Sequence, residues 1–509
     1  MKIDGRLFIV VIMALALIPG VHGVTSLSDG VKASVVDGSA SGLLSANPAG
    51  YSSGGSCDGG DCDLSFKSGV SNTGGSSVGI GLDILNADLY IFSYTISPGL
   101  GDGWKASKYP EVSATESLDV QNANYIKASA LARNSKSNMA SSTETSDPSK
   151  HASLLGYRNA AVANKNKVEI TQSANSVIGP ASTNILGTDG RGKEARSQAN
   201  FVGVYSLDQS ALIDGSNARA DLGLKGVGYL FDGSTTSAKN GNGNEAVTKA
   251  GSWSGDVIKN TQSSLAGTSL QASQDLEAEY QPVSYWTGTY DQTIAGTFSS
   301  SVKQNDGRVA VAQVDVNEGE HFADIQSASI DKTTGKASNF ADTIIGVAIP
   351  SVSVKDKTGK GANSLASFTG VYSLVQSASL DKSTVQSSLD MNGVGYFAGA
   401  TTFATDGKHK EAVAKQEGAI SGYMGLNKQN ALIGSKAEAT QKAMFGYAPT
   451  SYRTGSYYIS WMTFSTQAKA KNVNFDPVTI DEWAVYIPYE ISQAFTASDL
   501  LDQKSKKKI

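Results

Sequence analysis

The feature that most constrains this chain is an internal repeat of 167 residues. The segment Phe201–Tyr229 recurs as Phe368–Tyr396, and 16 of the 29 positions are identical, where chance would give roughly two among about twenty residue types. The same offset relates Pro282–Tyr290 to Pro449–Tyr457. A repeat of this length has the size of a domain or a large sheet, and it is too long for a short solenoid repeat.

The repeat divides the chain into seven predicted segments. They are a signal peptide (1–23), a Gly/Ser-rich arm with a cysteine pair (24–80), an N-terminal β region (81–170), the first β repeat (171–303), connecting strands (304–336), the second β repeat (337–470), and C-terminal strands with a Lys-rich tail (471–509).

Side chains alternate with a period of two inside the repeat, as along Leu207, Gln209, Ala211 and Ile213. Such alternation, followed by turn residues, predicts antiparallel hairpins. The turn signals lie at 214–216, 232–233, 306–307, 331–335, 355–361, 381–383 and 406–407. The sequence therefore predicts an all-β protein with long antiparallel sheets, built from two copies of the 167-residue unit.

Many alternate positions hold Ser, Ala or Gly, as in Ser377-Ala378-Ser379. Small side chains on both faces allow close stacking of sheets but specify strand register weakly. Charged residues make up 17% of the chain and there are 11 Pro, so the strands carry little of the charge and proline that normally protect sheet edges. We expect self-assembly through edge strands, with Gln209 and Gln376 in amide ladders of the stacked assembly.

The first residues have the pattern of a secretory signal peptide. Lys2 and Arg6 form a positively charged N-terminal region, which is followed by the apolar stretch Leu7–Pro19. Cleavage is expected after Gly23. Thirteen apolar residues are too few to span a bilayer, although an uncleaved anchor is the alternative. No later stretch is apolar enough to hold the mature chain in a membrane. We expect an extracellular protein of the cell envelope or sheath.

Two cysteines, Cys57 and Cys62, lie in the Gly-rich arm. A local disulfide, an intermolecular disulfide and a metal site are the three alternatives. Two thiols without a second pair of ligands are weak support for a metal site. A local disulfide is also disfavoured, because the arm lies outside the repeated body and a bond there would do little to stabilise that body. The position favours intermolecular bonding, and we predict no metal site.

Little in the sequence indicates catalysis. His151, His321 and His409 are far apart, and none recurs at the 167-residue offset. No Gly-x-Ser-x-Gly segment on a strand-to-helix turn marks a nucleophile. The densest acidic group, at positions 315, 318 and 320, is expected to form a solvated turn. We predict no enzymatic activity and no cofactor. The net charge of −5 also provides no basic field for nucleic acid.

Four pairs of tyrosines recur at the repeat offset. We interpret them as aromatics of the sheet or of an interface, with core packing as the simplest role and a ligand-binding platform as an alternative. The pairs are Tyr205 and Tyr372, Tyr229 and Tyr396, Tyr285 and Tyr452, and Tyr290 and Tyr457.

An exported, duplicated β protein rich in Ser, Ala, Gly and Tyr, with Cys57 and Cys62 on a flexible arm, resembles the tubular sheath proteins of methanogenic archaea. The resemblance implies an envelope building block that self-assembles through β-strands into stacked hoops joined by disulfides, with Cys57 and Cys62 as the linking thiols.

We therefore expect a structural subunit of an extracellular sheath or surface layer, with other copies of the chain as its partner. The alternative is a surface adhesin whose duplicated module binds envelope polysaccharide or neighbouring cells. A secreted hydrolase is a third hypothesis.

Overall fold

Within the residues that it describes, the computed structural model contains 29 β-strands and their turns. Side chains are described for 138–145, 152–163, 167–204, 206–226, 233–252, 259–279, 294–317, 319–370, 373–393, 399–415, 427–434 and 437–439. The chain divides into two compact units, Met1–Gly228 and Tyr229–Ile509. The described residues contain strands and no helix, which confirms the predicted all-β class. None of them forms a helix with the length and apolar character needed to cross a membrane.

The first unit contains fourteen strands. They are β1 (Ser26–Val36), β2 (Ser39–Ala46), β3 (Ala49–Cys57), β4 (Asp61–Asn72), β5 (Val78–Ile84), β6 (Ser93–Thr95), β7 (Val112–Arg133), β8 (Met139–Ser146), β9 (Ala152–Ala163), β10 (Lys167–Ala174), β11 (Ser176–Thr188), β12 (Lys193–Val204), β13 (Ser206–Asp214) and β14 (Asn217–Val227).

The second unit contains fifteen strands. They are β15 (Tyr229–Asn240), β16 (Glu245–Ala250), β17 (Asp256–Ala266), β18 (Ser269–Glu279), β19 (Ile294–Lys303), β20 (Val309–Asp331), β21 (Thr334–Lys355), β22 (Gly361–Val371), β23 (Ser373–Leu380), β24 (Val385–Thr405), β25 (Glu411–Ile433), β26 (Lys436–Gly446), β27 (Ile459–Lys469), β28 (Val478–Trp483) and β29 (Asp502–Lys508).

The strands of the second unit form two layers that face each other. Every described pairing is antiparallel. Layer A runs β15, β16, β19, β20 (309–316), β21 (347–355), β22, β24 (399–405), β25 (411–420), β27 and β28. Layer B runs β17, β18, β20 (321–331), β21 (334–341), β23, β24 (385–392), β25 (427–433), β26 and β29.

Four strands of 21 to 23 residues cross from one layer to the other. A straight β21 would hold Asn339 about 40 Å from Ser351, at ~3.3 Å per residue. Instead, Asn339 Nδ2 donates to Ser351 O at 3.1 Å, so the strand folds back over itself. The register shifts where these strands bend, between Asn317 and His321 in β20 and between Met391 and Gly393 in β24.

The first unit uses the same two-layer plan. In its own layers, β8, β11 and β12 pair in one sheet, and β9, β10, β13 and β14 pair in the other. The strand β13 starts 167 residues before β23, and Gln209 donates to Ser197 Oγ at 3.2 Å as Gln376 does to Ser364 Oγ at 3.4 Å. The pairing of β13 with β10 and β14 likewise recurs as that of β23 with β21 and β24.

Burial alternates along most of the described strands, as in β13 and β18, where every second side chain is buried. Runs of consecutive buried residues interrupt the alternation in β11 and β12. The interior holds many Ala residues and few large side chains, of which Phe298 and Phe322 pack with ring centroids 4.8 Å apart. The expected small residues on both faces are present, but only one face is buried, so the two faces are not equivalent.

Most predicted turns are confirmed, and one is wrong. Turns join β13 to β14, β19 to β20, β20 to β21, β21 to β22, β23 to β24 and β24 to β25. Asp232-Gly233, however, lies inside β15. The backbone of Gly233 has a φ of 76° and passes so close to Ala250 O that a Cβ would lie 2.2 Å from that oxygen. The Asp-Gly pair therefore marks a close strand approach and not a turn.

The acidic group at positions 315, 318 and 320 is also not a turn, because all three positions lie within β20. Asp315 is half-buried and accepts hydrogen bonds from Thr297 Oγ1 at 2.7 Å and from Gln313 Nε2 at 2.9 Å. The group therefore belongs to a paired strand, where Asp315 is held by its neighbours.

Candidate functional site

A row of buried amide side chains runs across the strands of layer B. We call it the amide ladder, and in the second unit it consists of Gln262, Gln274, Gln326, Asn339, Gln376 and Gln429. Gln262 lies opposite Gln274, which lies opposite Gln326, and the register continues to Asn339 and Gln376. Leu389 then separates Gln376 from Gln429. In the first unit, Asn159, Gln172 and Gln209 form a ladder of the same kind.

None of these nine amides is more than 3% exposed. Burying an amide without a partner costs about 1–3 kcal/mol, so such a row needs hydrogen-bond partners in the interior. The opposite layer supplies several of them.

The ladder amides donate to backbone carbonyls of layer A. Gln326 donates to Phe298 O at 3.1 Å, and Gln376 donates to Pro350 O at 3.2 Å. Asn339 donates to Gln313 O at 3.0 Å and contacts Gln376 Oε1 at 3.2 Å. The three bonds to backbone carbonyls join residues that are 26 to 28 positions apart in sequence and connect layer B to layer A, whereas the Asn339–Gln376 contact lies within layer B.

A row of small and hydroxyl side chains in layer A faces the ladder. Thr248, Ser300, Ser364 and Thr402 are each fully buried. Thr236 bonds both Thr248 and Ser264 at 2.6 and 2.8 Å, which links the two layers again. Small side chains allow the amides to reach the opposite backbone.

The ladder specifies register more strongly than the small residues do. Because successive side chains point to opposite faces, a slip by one residue would turn every ladder amide outward. It would also leave carbonyls such as Pro350 O without their donors. The buried amides therefore add a constraint on register that the Ser/Ala/Gly pattern alone does not provide.

Two carboxyl groups are buried beside the amides. In the first unit, Glu144 accepts from Gln172 Nε2 at 2.7 Å; burial raises the pKa of Glu144 well above its usual value, although this hydrogen bond opposes the shift. In the second unit, Asp324 is 3% exposed and lies two residues before Gln326 on the same face. Burial raises the pKa of Asp324 to about 7.

Part of this region is incompletely paired. Among the described residues, both amide atoms of Gln262 and Gln274, the hydroxyl of Ser300 and both carboxyl oxygens of Asp324 lack a hydrogen-bond partner of normal geometry. The main cause of the raised pKa of Asp324 is burial, which removes water from the charged carboxylate; the charge of Asp275 adds to the shift, and the Gln326 amide and the Ile325 N–H oppose it.

Five hairpin turns have one geometry. In each, the backbone N–H of the first residue donates to the carbonyl of the fifth, over 189–193, 240–244, 304–308, 356–360 and 406–410. In the turn that begins at Asp356, Oδ1 also accepts from Thr358 N at 2.8 Å and from Lys360 N at 3.0 Å. Lys360 Nζ donates to Lys382 O at 2.9 Å, in a turn of the other layer. Lys193 reaches Gly215 O and Lys410 reaches Gly434 O in the same way.

The turn at Asp356 gives a first prediction. Replacing Asp356 by Ala is expected to lower the free energy of unfolding by about 1 kcal/mol, because two backbone N–H groups lose a charged acceptor. Urea denaturation monitored by fluorescence measures this. The exposed Asp342 is the control, and its replacement by Ala is expected to change stability by less than about 0.5 kcal/mol. An equal effect of the two substitutions would contradict the role of the Asp356 turn.

The predicted site residues lie mostly outside the described side chains. Cys57 ends β3 opposite Val112, and Cys62 lies in β4 opposite Val35, but the thiols themselves are outside the described part. The backbones of Tyr229 and Tyr396 lie in β15 and β24. The side chains of these two tyrosines lie outside the described part of the chain. The same holds for the whole of the other six tyrosines, for His151 and for the signal segment 1–23; the six are Tyr205, Tyr285, Tyr290, Tyr372, Tyr452 and Tyr457.

The two remaining histidines are separate in the chain and differ in exposure. His321 is half-buried at the bend of β20, and His409 is exposed in a turn, where its backbone N–H donates to Asp406 Oδ1 at 2.7 Å. The described residues contain no group of three or more His, Cys, Asp or Glu side chains able to hold a metal ion.

Sequence reasoning identified two rungs of the ladder and missed the others. Gln209 and Gln376 were expected in ladders between stacked molecules, whereas the structure has the ladder within the chain. A signal was present: an amide followed by Ser or another small residue recurs at 172–174, 209–211, 262–264, 326–328 and 376–378. This motif recurs on β10, β13, β17, β20 and β23, and not only at positions that are 167 residues apart.

Comparisons with family models, with curated proteins and with solved structures find no match to this chain.

Proposed function

We propose that this chain is a structural subunit of an extracellular proteinaceous sheath or surface layer, which self-assembles through β-strands and is cross-linked by disulfides. The observation that carries the proposal is the amide ladder, in which strand after strand contributes the same kind of buried rung. An architecture of this kind grows by adding strands, because each strand contacts mainly its neighbours.

The recurrence of contacts at the 167-residue offset supports this proposal. Within one chain, β20 joins the two repeats: it pairs with β18 and β19 of the first repeat and with β21 at the start of the second. The edge strands of a further copy of the chain then offer the same backbone pairing and the same rows of buried side chains. Low charge along the strands adds little repulsion between such edges.

The cysteines Cys57 and Cys62 are proposed to link neighbouring subunits. Both belong to strands of the N-terminal part, β3 and β4, and only three residues separate these strands. Extracellular location permits stable disulfides. Cross-linking through this segment leaves the laddered strands free to pair.

Electron microscopy and fibre diffraction of the purified protein test the function. We expect ordered polymers with reflections near 4.7–4.8 Å and ~10 Å, from strand and sheet spacing. A reductant, or replacement of both Cys57 and Cys62 by Ser, is expected to remove covalent linkage and to shorten the assemblies while the reflections remain. A non-reducing gel should show a high-mass ladder for the wild type only. Soluble monomers under all conditions would contradict the proposal.

A further inference from the structure

Four neighbouring side chains in the described part of the first unit each have a buried oxygen atom without a hydrogen-bond partner. We call these residues the oxygen cluster, and the atoms are Glu144 Oε1, Thr183 Oγ1, Asn159 Oδ1 and Gln172 Oε1. None of the four side chains is more than 2% exposed. Buried polar atoms without a partner are uncommon in folded proteins, so four of them in one place need a physical explanation.

Strand pairing and hydrogen bonds bring the oxygen cluster together. Glu144 lies directly opposite Thr183 on β8 and β11, and Asn159 lies directly opposite Gln172 on β9 and β10. The side chains of directly opposite residues begin about 4.5–5.5 Å apart. The two pairs meet across the interior, because Gln172 Nε2 donates to Glu144 Oε2 at 2.7 Å. Asn159 Nδ2 likewise donates to Ser142 Oγ, which is two residues before Glu144 on the same buried face.

The chemistry of the cluster indicates what it lacks. Both amides direct their nitrogen to the opposite layer and leave their oxygen unpaired, so the missing partner is a positive or donating group and not another acceptor. Carboxylate, amide and hydroxyl oxygens are the ligands that hard cations prefer. The cluster holds one carboxylate, so an ion with a single positive charge makes it neutral, whereas a divalent ion would leave a net charge in the interior.

The second unit has a corresponding strand pair without this carboxylate. Its counterpart of Thr183, at the 167-residue offset, is Pro350, and the residue opposite Pro350 is Val314. Val314 is fully buried and takes the place of Glu144. The amides of the second unit donate to backbone carbonyls there. The two-layer arrangement therefore does not need a carboxylate at this position, which favours a role in binding over a role in folding.

We propose that the oxygen cluster binds one alkali metal cation, with the Glu144 carboxylate as the charged ligand and the other three oxygens as neutral ligands. Binding exchanges a proton for the ion: the Glu144 carboxyl releases its proton to solvent, and the carboxylate contacts the cation. Since burial otherwise raises the pKa of Glu144, the ion offsets the cost of burying this charge. The site involves neither the strand edges nor the cysteines.

Asp324, the buried carboxyl of the second unit, is the matched control. The residues directly opposite it on the two neighbouring strands are Leu276 and Ala341, which are both buried and apolar. Asp324 therefore lacks the opposing hydroxyl that Glu144 has in Thr183, and we assign no cation to it.

Thermal unfolding of the unassembled full-length protein at pH 8 tests the site. Sodium or potassium chloride is expected to raise the unfolding temperature of the wild type by at least about 3 °C relative to choline chloride at equal ionic strength, because a ligand of the folded state stabilises it. Glu144→Gln is expected to lose this difference, and Asp324→Asn is expected to keep it. The larger of the two shifts identifies the preferred ion.

NMR of sodium, and of rubidium as a substitute for potassium, gives a readout of binding that does not depend on stability. The wild type is expected to broaden the resonance of the preferred ion, and Glu144→Gln is not. Thr183→Val should raise the half-saturating ion concentration at least about tenfold, because it removes one ligand at nearly constant shape, whereas Thr183→Ser keeps the hydroxyl and the affinity. This pair keeps the proposal testable if Glu144→Gln does not fold.

Equal stabilisation by choline, or equal effects of the alkali ions on the wild type and on Glu144→Gln, would overturn the site. A wild type that responds to no cation would overturn it as well, and water molecules would then be the partners of the four oxygens. If calcium acts at lower concentration than either alkali ion and its effect is lost in Glu144→Gln, the assignment of a singly charged ion is wrong. The proposed function is unaffected by these outcomes, because polymer formation tests it separately.

Discussion

Replacing Asp324 by Asn is expected to raise the free energy of unfolding by up to about 4 kcal/mol at pH 8 and to leave it almost unchanged at pH 4. Burial raises the pKa of this carboxyl to about 7 in the folded chain, while the unfolded chain has a pKa of ~3.9. Each pKa unit corresponds to about 1.4 kcal/mol, which gives the expected maximum. Asn matches the shape of the protonated carboxyl and carries no charge at any pH.

The sign of the pH dependence follows from proton binding. Below pH ~4, Asp324 is protonated in both states and costs nothing. Between pH ~4 and 7, the folded state binds the proton more tightly than the unfolded state, so the stability of the wild type falls as the pH rises. The cost of the buried charge is fully present above pH 7.

Urea denaturation of the unassembled protein at pH 4, 6 and 8 measures this effect as the difference between variant and wild type. That difference should grow with pH, even though Glu144 adds a pH dependence of its own to both proteins. Asp390→Asn is the matched control, because Asp390 is on the outer face of the same layer and pairs with Lys428. A constant difference between the Asp324 variant and the wild type at all three pH values would contradict the buried-charge account.

Replacing Gln376 by Ala is expected to lower the free energy of unfolding by about 3 kcal/mol. Gln376 donates to Pro350 O and accepts from Asn339, and it is fully buried. Its removal leaves a carbonyl without this donor, takes one acceptor from Asn339, and opens a cavity, and each buried polar group left unpaired costs about 1–3 kcal/mol.

Gln386→Ala is the matched control for the ladder. Gln386 is half-buried, and its side chain bonds only across the outer face, to Asn430 Oδ1 at 3.0 Å. We expect a loss of about 0.5 kcal/mol there, since water can replace the lost contact. Urea denaturation at one pH compares the two variants. If they are equally stable, the ladder does not hold the layers together.

Much of the local structure could be predicted from the sequence. Alternation along Leu207, Gln209, Ala211 and Ile213 predicted a strand with these residues on one face, and all four are buried. The turn after Asp214 was predicted from its residue types and lies at that position. The expected turns failed at two places. Gly233 uses its positive φ to let two strands approach closely, and the acidic group at positions 315, 318 and 320 lies within the paired strand β20.

The candidate site could be predicted only in part. Gln209 and Gln376 stood out because they recur at the repeat offset, but their partners did not. Gln376 donates to Pro350 O, a backbone group that leaves no mark in a sequence, and Gln209 donates to Ser197 Oγ, one serine among many. Asp324 carried no signal, because an aspartate beside Gln326 in an alternating run has the same appearance whether it faces water or the interior. Its raised pKa depends entirely on what surrounds it.

The sequence by itself determined the period of two, most of the turn positions and the 167-residue recurrence. The first two depend on backbone preferences and on residues near one another in the chain, and the third is read directly from the sequence. Only the tertiary structure decided which face is interior and where the long strands fold over. Polar Gln lies on the buried face together with Ala and Leu, and Ser and Ala occur on both faces, so neither face is decisively apolar in the sequence. Asn339 is interior because β21 folds back and brings Ser351 O to within 3.1 Å of its amide, and that acceptor exists only once the second layer has formed.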